Sequence, residues 1–395
     1  MEFKIERARL RDACKKASKT AMRESKTDKL MFLSGILLEA YTEKRILRLT
    51  CTDLTFSMTV ILKNVIIEEG GAVVVPSAMF TSMLTVSGGD EAEISVNSSG
   101  LMQFKCGKAS MRIQTLNADD FPAVNIAYPE NTIKVSGLSQ IAKKATAVAS
   151  EVQNNPAFDC VKVNFSPNKT TATATDSMRF IKTGGTDIAD GEMELIIPKR
   201  ALNLICDIAK AKDDLYLGTV GNKIVFISSE FVFTASMISS KSHNIEEIIE
   251  RVKPVYSAVV DGKEFYEAVD LLISAIGDND SCINVKLTNN SLCLFVHNEN
   301  GDCDIEVAAD NAVSTGENVF YYRPIYLYDF LKDITGSVKF EITDRGVLKL
   351  SEGLTDYIVS PRNAPKIKIK APEKKLNPKA KTPKNKKGKS AEEAA

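Results

Sequence analysis

The chain has 395 residues, length enough for two to four ordinary domains with cores of their own. Apolar residues make up 44% and charged residues 26%, a globular balance, and no apolar run reaches the ~18 residues that crossing a bilayer requires. The zero formal charge conceals a split: from Ala364 onward eleven lysines face three glutamates, a net +8, so the residues before it carry 40 basic and 48 acidic groups, a net −8. The chain opens MEFKIERARLRD, charged where a secretory signal has its apolar core, so a cytoplasmic location is expected. FKIERARLRDACKKAS (3–18) reads as a short strand followed by an amphipathic helix with Leu10, Cys14 and Ala17 on one face. TCTDLTFSM (50–58) is a Thr-Asp turn leading into a strand, and VVVPSAMFTSMLTVS (73–87) runs from strand through Pro76 into a second helix. Alternating hairpins follow in AEISVNSSGLMQFKCGKASMRIQTL.

The same order then recurs. IKVSGLSQIAKKATAVAS (133–150) repeats the strand and helix with Leu138, Ala142 and Ala145, and TATDSMRF (173–180) repeats the Thr-Asp turn. LIIPKRALNLICDIAK (195–210) repeats the second helix with Pro198, ahead of another hairpin pattern. A third round gives SAVVDGKEFYEAVDLLISAI (257–276) with Phe265, Val269 and Leu272, then FYYRPIYLYDFLKDI (320–334) with Pro324. EITDRGVLKL (341–350) looks like a weaker third Thr-Asp copy. All three prolines are expected in the first turn of a helix, where a missing N–H costs nothing. Recurrence of several markers in one order defines an α+β module used three times, two helices packed on antiparallel sheets in each. The expected divisions are 1–125, 126–254 and 255–363, with 364–395 a disordered lysine-rich tail that serves either as a solvated solubility segment or as an arm touching phosphates.

Catalytic chemistry finds little to stand on. Eight cysteines, at 14, 51, 106, 160, 206, 282, 293 and 303, form no C-x-x-C pair, and His243 and His297 are the only histidines, so structural zinc is not expected. Asp119-Asp120 reads as a linker turn rather than paired catalytic carboxylates, and Gly88-Gly89 as the end of a helix rather than a phosphate cradle. No enzyme, metal or cofactor is expected.

Four stretches carry a family resemblance: MEFKIERARL, LTCTDLTFSM, VPSAMFTSML and FKCGKASMRIQTLNADDFPAV. ATDSMRF and YIVSPRN add to it, being similar to the Ala-Thr-Asp-Gly-His-Arg-Leu and Val-Met-Pro-Met-Arg segments of the same family. Over essentially the whole chain to Asn363 the sequence resembles the bacterial replicative sliding clamp, the beta subunit of DNA polymerase III. That resemblance implies a head-to-tail homodimeric ring, a processivity factor that encircles duplex DNA without reading its sequence. Its expected partners are a DNA polymerase subunit, the clamp loader and other clamp-binding-motif proteins, with no membrane. Geometry agrees: twelve helices of ~10 Å diameter from two chains would surround an opening of about 30 Å, wide enough for a duplex of roughly 20 Å. An open-arc monomeric scaffold is the alternative.

Candidate residues facing the lumen are Lys15, Lys16, Lys19, Arg23, Lys143, Lys144, Lys199, Arg200, Lys210 and Lys212, although any one of them alone is as well read as a solvated helix face. The resemblance also implies a partner-peptide cleft between the second and third modules. It carries over Phe158, Thr175, Ser177, Met178, Arg179, Phe180, Arg251, Val252, Ile358, Ser360, Pro361 and Arg362. The chain departs from the family at Ser177-Met178, which replace Gly-His, at Ser360, which replaces a methionine, and in HNIEEIIERV ahead of the third module.

Overall fold

The computed structural model describes residues 1–22, 28–126, 128–150, 155–209, 214–238, 245–276, 282–298 and 301–363. The first block of elements is β1 (Glu2–Glu6), α1 (Arg7–Ala17), β2 (Gly35–Tyr41), β3 (Ile46–Thr52), β4 (Phe56–Lys63), β5 (Ile66–Glu69), β6 (Gly71–Pro76), α2 (Ser77–Val86), β7 (Glu91–Val96), β8 (Leu101–Cys106), β9 (Ala109–Gln114) and β10 (Leu116–Asn117). The second is β11 (Thr132–Val135), α3 (Ser139–Val148), β12 (Cys160–Phe165), β13 (Thr170–Thr175), β14 (Arg179–Gly185), β15 (Met193–Pro198), α4 (Lys199–Ile208), β16 (Leu215–Val220), β17 (Lys223–Ile227), β18 (Phe231–Ser236) and α5 (Ile245–Arg251). The third is β19 (Tyr256–Asp261), α6 (Gly262–Ile276), β20 (Ile283–Leu287), β21 (Ser291–Asn298), β22 (Gly301–Val313), β23 (Phe320–Tyr322), α7 (Pro324–Leu331), β24 (Ser337–Ile342), β25 (Leu348–Glu352) and β26 (Thr355–Val359).

The blocks are joined through their sheets. β5-β1-β7-β8-β9 stands alone, whereas β10-β6-β2-β3-β4 continues into β18-β17-β16-β11 of the second block. Likewise β15-β12-β13-β14 continues into β26-β25-β24-β19 of the third, and on through β22-β21-β20-β23. Two seams result, β4 against β18 and β14 against β26, and each pairs a strand that follows a Thr-Asp turn with the last strand of the next block. Every pairing is antiparallel.

Helices cover these sheets in pairs, α1 with α2, α3 with α4, and α6 with α7. The apolar positions read from the sequence are the ones that face inward: Leu10, Cys14, Ala17, Leu138, Ala142, Ala145, Phe265, Val269 and Leu272 are all buried. Burial of one stripe per helix, at a few kcal/mol per large side chain, is what holds helices this short. Arg7 ties the start of α1 to the end of α2, donating to the carbonyls of Leu84 and Gly89, a cation beside the negative end of a helix. Gly89 sits so close to the passing backbone that an added Cβ would lie 2.4 Å from the Gly107 nitrogen, so it serves packing.

Two expectations need correction. Pro76 and Pro198 close β6 and β15 and hold the N-cap positions of α2 and α4, and Pro324 alone lies inside a first turn. Thr343-Asp344 is also not a third copy of the Thr-Asp turn, because it forms the hairpin between β24 and β25. The equivalent of TCTD and TATD in the third block is the tip between β21 and β22, where Asn298 faces Gly301.

Burial pushes the thiols of Cys14 and Cys51 far above their ordinary range and those of Cys160 and Cys206 up to about 12, so all four stay protonated at neutral pH. Alkylation of the native protein at pH 8, followed by mass spectrometry, should label the half-buried Cys293 and Cys303 and spare Cys14 and Cys51 until denaturant is added. Label on Cys14 in folded protein contradicts this packing.

Candidate partner cleft and helix-lined face

The Thr-Asp turn is built the same way in both seams. Asp176 Oδ1 accepts from the backbone N–H groups of Met178 and Arg179 at 3.0 and 2.9 Å, and Thr175 Oγ1 accepts from Ser177 N–H and donates to the Arg179 carbonyl. Asp53 and Thr52 repeat the pattern toward Leu54, Thr55 and Phe56. In each turn one residue takes a left-handed backbone, Ser177 at φ 75° and Leu54 at φ 74°. The turn at 175–179 thrusts Met178 outward, 41% exposed, while its carbonyl accepts from Ser360 N–H at 2.9 Å.

Met178 is thus brought beside the segment Ile358–Arg362, and β14 meets β26 directly, with Arg179 opposite Val359 and Phe180 opposite Ile358. Arg362 N–H donates to the Tyr321 carbonyl, which keeps the chain after Pro361 on the third block. Arg251 ends α5, a helix packed on β13 and β14, and is ion-paired with Glu247, and Val252 N–H caps that helix through Ile249. Phe158 lies in the short turn Pro156–Asp159 that enters β12. β12 runs two places from β14 in the sheet, and its register brings this turn to the same end as Thr175. Eleven of the twelve cleft candidates therefore gather on or beside the β14–β26 seam, with Phe158 at the edge of the group.

Arg179 is placed differently from the expectation of a rim residue. Its side chain is buried across the seam, with Nε 2.9 Å from Asp176 Oδ2, Nη1 2.7 Å from Asp329 Oδ2 and 3.3 Å from the Tyr357 hydroxyl, and Nη2 3.0 Å from the Ala147 carbonyl. The guanidinium also lies 4.5 Å from the Tyr326 ring centre. Burial works against its charge, but Tyr357, Asp329 and Asp176 outweigh that penalty and hold the guanidinium above its already high ordinary value. The other seam has the same clasp with the partners exchanged: Arg200 of α4 pairs with Asp53 at 2.5 Å and stacks 4.8 Å from Phe56 of the turn.

The lumen candidates are also drawn into the seams. Lys16 pairs with Glu230 at 2.6 Å, Lys19 with Asp207 at 3.2 Å and Lys144 with Glu352 at 3.3 Å, each across a block boundary. Lys199 donates to the Ala149 carbonyl at 2.9 Å. Lys15 and Lys143 are exposed, and Arg23, Lys210 and Lys212 fall outside the described residues. The helix face is therefore less positive than a count of its lysines suggests, because acids from the neighbouring block answer several of them. Among the described residues no group of three or more His, Cys, Asp or Glu side chains is placed to hold a metal.

Repeated two-helix units joined edge to edge by continuous antiparallel sheets are the architecture of the DNA polymerase sliding clamps. Residues 1–125 match the family model for the N-terminal domain of the DNA polymerase III beta subunit. The chain is 24% identical over 319 residues to the beta sliding clamp of Staphylococcus epidermidis, covering 77% of this chain and 83% of that one. It is 23% identical over 322 residues to the Staphylococcus aureus beta sliding clamp, with the same coverage. Among solved structures, a putative DNA polymerase III beta subunit from Eubacterium rectale superposes with a TM-score of 0.84 at 17% identity, over 92% of this chain and 100% of that one. The Bacillus subtilis DNA polymerase sliding clamp gives 0.83 at 20% identity, over 92% and 99%. Residues 1–125 thus carry the N-terminal domain of the DNA polymerase III beta subunit, and the chain has the sliding-clamp fold.

Proposed function

We propose that the protein is a sliding clamp: two chains, each of modules 1–125, 126–254 and 255–363, close head to tail around duplex DNA and hold a polymerase to it. The observation that carries this reading is the state of the two chain ends. Both internal seams join a strand after the tip of a block to the last strand of the next block. β22 at one end and β9 at the other are the remaining strands of those two kinds: β9 ends its sheet, and Gly301–Ala308 of β22 pair with β21 on one side only, because β19 meets this strand from Ala309 onward. Unpaired edges of this length are liabilities unless something covers them. Met111 on β9 is exposed, and Met79, Val86, Leu271 and Val313 are further exposed apolar side chains of the first and third blocks.

The ring separates retention from grip. Each tight phosphate contact would act as a brake, whereas a closed hoop keeps its DNA by topology and needs only a weak positive lining. Polymerase, clamp loader and other partners would dock by a short peptide in the β14–β26 cleft, in a cytoplasmic setting and without catalysis by the clamp itself.

Light scattering should give a stable mass of twice the 43.2 kDa chain. The ring, once loaded, should stay on circular DNA and run off within minutes of linearisation. A single-chain mass, or equal loss from both DNA forms, supports the open-arc scaffold instead.

A further inference from the structure

We propose that the lysine-rich segment after Asn363 is a second DNA contact of this protein, an arm that touches duplex phosphates without reading sequence from beside the β14–β26 cleft. This rests on the sliding-clamp reading for its ligand and adds to it a site outside the ring opening.

The helices supply few cations of their own. Ten basic residues lie on α1, α2, α3, α4, α6 and α7, and the protein itself engages eight of them. Five pair with carboxylates, Lys16, Lys144 and Arg200 with those of a neighbouring block. Three more, Arg7, Arg9 and Lys199, donate to backbone carbonyls. Lys15 and Lys143 remain, exposed and without an ion-pair partner among the described residues. In the third block α6 turns Glu264, Glu267 and Asp270 to solvent, with Lys263 as its one base. Residues 1–363 carry a net −8, so this body by itself attracts a polyanion poorly.

The balancing charge is gathered at one place. Residues 364–395, which lie outside the described residues, hold eleven lysines against three glutamates, with no arginine and no aromatic residue. That choice bears on the ligand. A lysine ammonium meets phosphate as a hydrated point charge, whereas an arginine fork reads guanine bidentately and aromatic rings stack on bases. Lysine alone gives affinity without register, and such contacts exchange as a ring slides. The body's carboxylates compete for the same lysines. A duplex nevertheless offers one charge per ~1.7 Å and releases condensed counterions when they bind, which favours DNA.

The described chain ends where such an arm is useful. Ser360 N–H donates to the Met178 carbonyl and Arg362 N–H to the Tyr321 carbonyl, so the segment leaves from the cleft that would hold a polymerase. A chain of this length reaches at most about 110 Å, several times the width of a duplex.

The test uses the full-length chain with glutamine for all eleven lysines after Ala364, bound to a linear duplex of about 30 bp that no ring can retain. Fluorescence anisotropy at about 50 mM salt should show affinity falling at least a hundredfold relative to wild type. The slope of log K against log salt should flatten by about 5 or more, and by about 2 to 3 for Lys384→Gln, Lys386→Gln and Lys387→Gln alone. Shuffling the order of the segment's residues, or the sequence of the duplex, should change neither value. Equal affinity and slope for wild type and the glutamine variant overturn the arm, as does affinity lost on shuffling. Retention on circular DNA reports the ring separately. Wild type that runs off circles while the lysine effect persists removes the ring and keeps the arm, and retention without a lysine effect does the reverse.

Discussion

Arg179→Ala is expected to cost about 3–5 kcal/mol of stability at the seam between the second and third blocks, the usual penalty for removing one member of a buried ion pair. The side chains involved are well shielded, Arg179 at 10%, Asp176 at 13% and Asp329 at 19% exposure. Alanine would leave Asp176 without its cation, Asp329 with only the more exposed Lys332, the Ala147 carbonyl without this donor and the Tyr326 ring without its nearer cation. Lysine should recover little, since a single ammonium cannot reach two carboxylates, a hydroxyl and a carbonyl at once as the planar fork does. Urea unfolding should show the loss as an early transition, and limited proteolysis should then cut near the boundary before β19. The matching change in the other seam, Arg200→Ala, should cost much less, because Arg200 is 51% exposed and water can replace it. Equal losses at the two sites would mean that the buried clasp contributes no more than a surface pair.

These clasps mark the limit of what the sequence discloses. The repeats were legible because an amphipathic helix must place one side chain in the core every three to four residues, and Leu10, Cys14 and Ala17 have counterparts in each round. The Thr-Asp turns were legible where the aspartate caps its own backbone, a local requirement. The third turn was hidden because Asn298 and Gly301 stand where the first two have Asp53 with Phe56 and Asp176 with Arg179, so that position carries no Thr-Asp signal, and the chance match at Thr343-Asp344 took its place. The seam partners were hidden for a different reason. Lys16 and Glu230, or Arg179 and Asp329, are far apart in the chain and are brought together only by edge pairing of whole sheets. A lysine on a polar helix face looks alike whether it meets solvent, a phosphate or the next block.

The cleft gives the other large effect. Met178→Glu combined with Phe180→Ala should weaken binding of a Gln-Leu-x-Leu-Phe-type peptide about a hundredfold or more, measured by fluorescence anisotropy, while the light-scattering mass is unchanged. A peptide ending in an aromatic gains most of its affinity from one desolvated apolar anchor, and a carboxylate placed there cannot be desolvated cheaply. The internal seam should survive because β14 meets β26 through backbone hydrogen bonds and the Met178 carbonyl, which side-chain changes leave in place, still accepts from Ser360; the dimer should survive because neither substitution lies at the chain ends. Leu54→Glu is the matched control: it sits on the equivalent turn of the first seam, is 65% exposed and has the same left-handed turn beneath it. It should leave peptide affinity within twofold. Loss at Leu54 without loss at Met178 would move the partner site to the first seam. Loss at neither would remove it from these turns altogether, since each presents an exposed apolar side chain at a seam, Met178 next to left-handed Ser177 and Leu54 at the left-handed position itself.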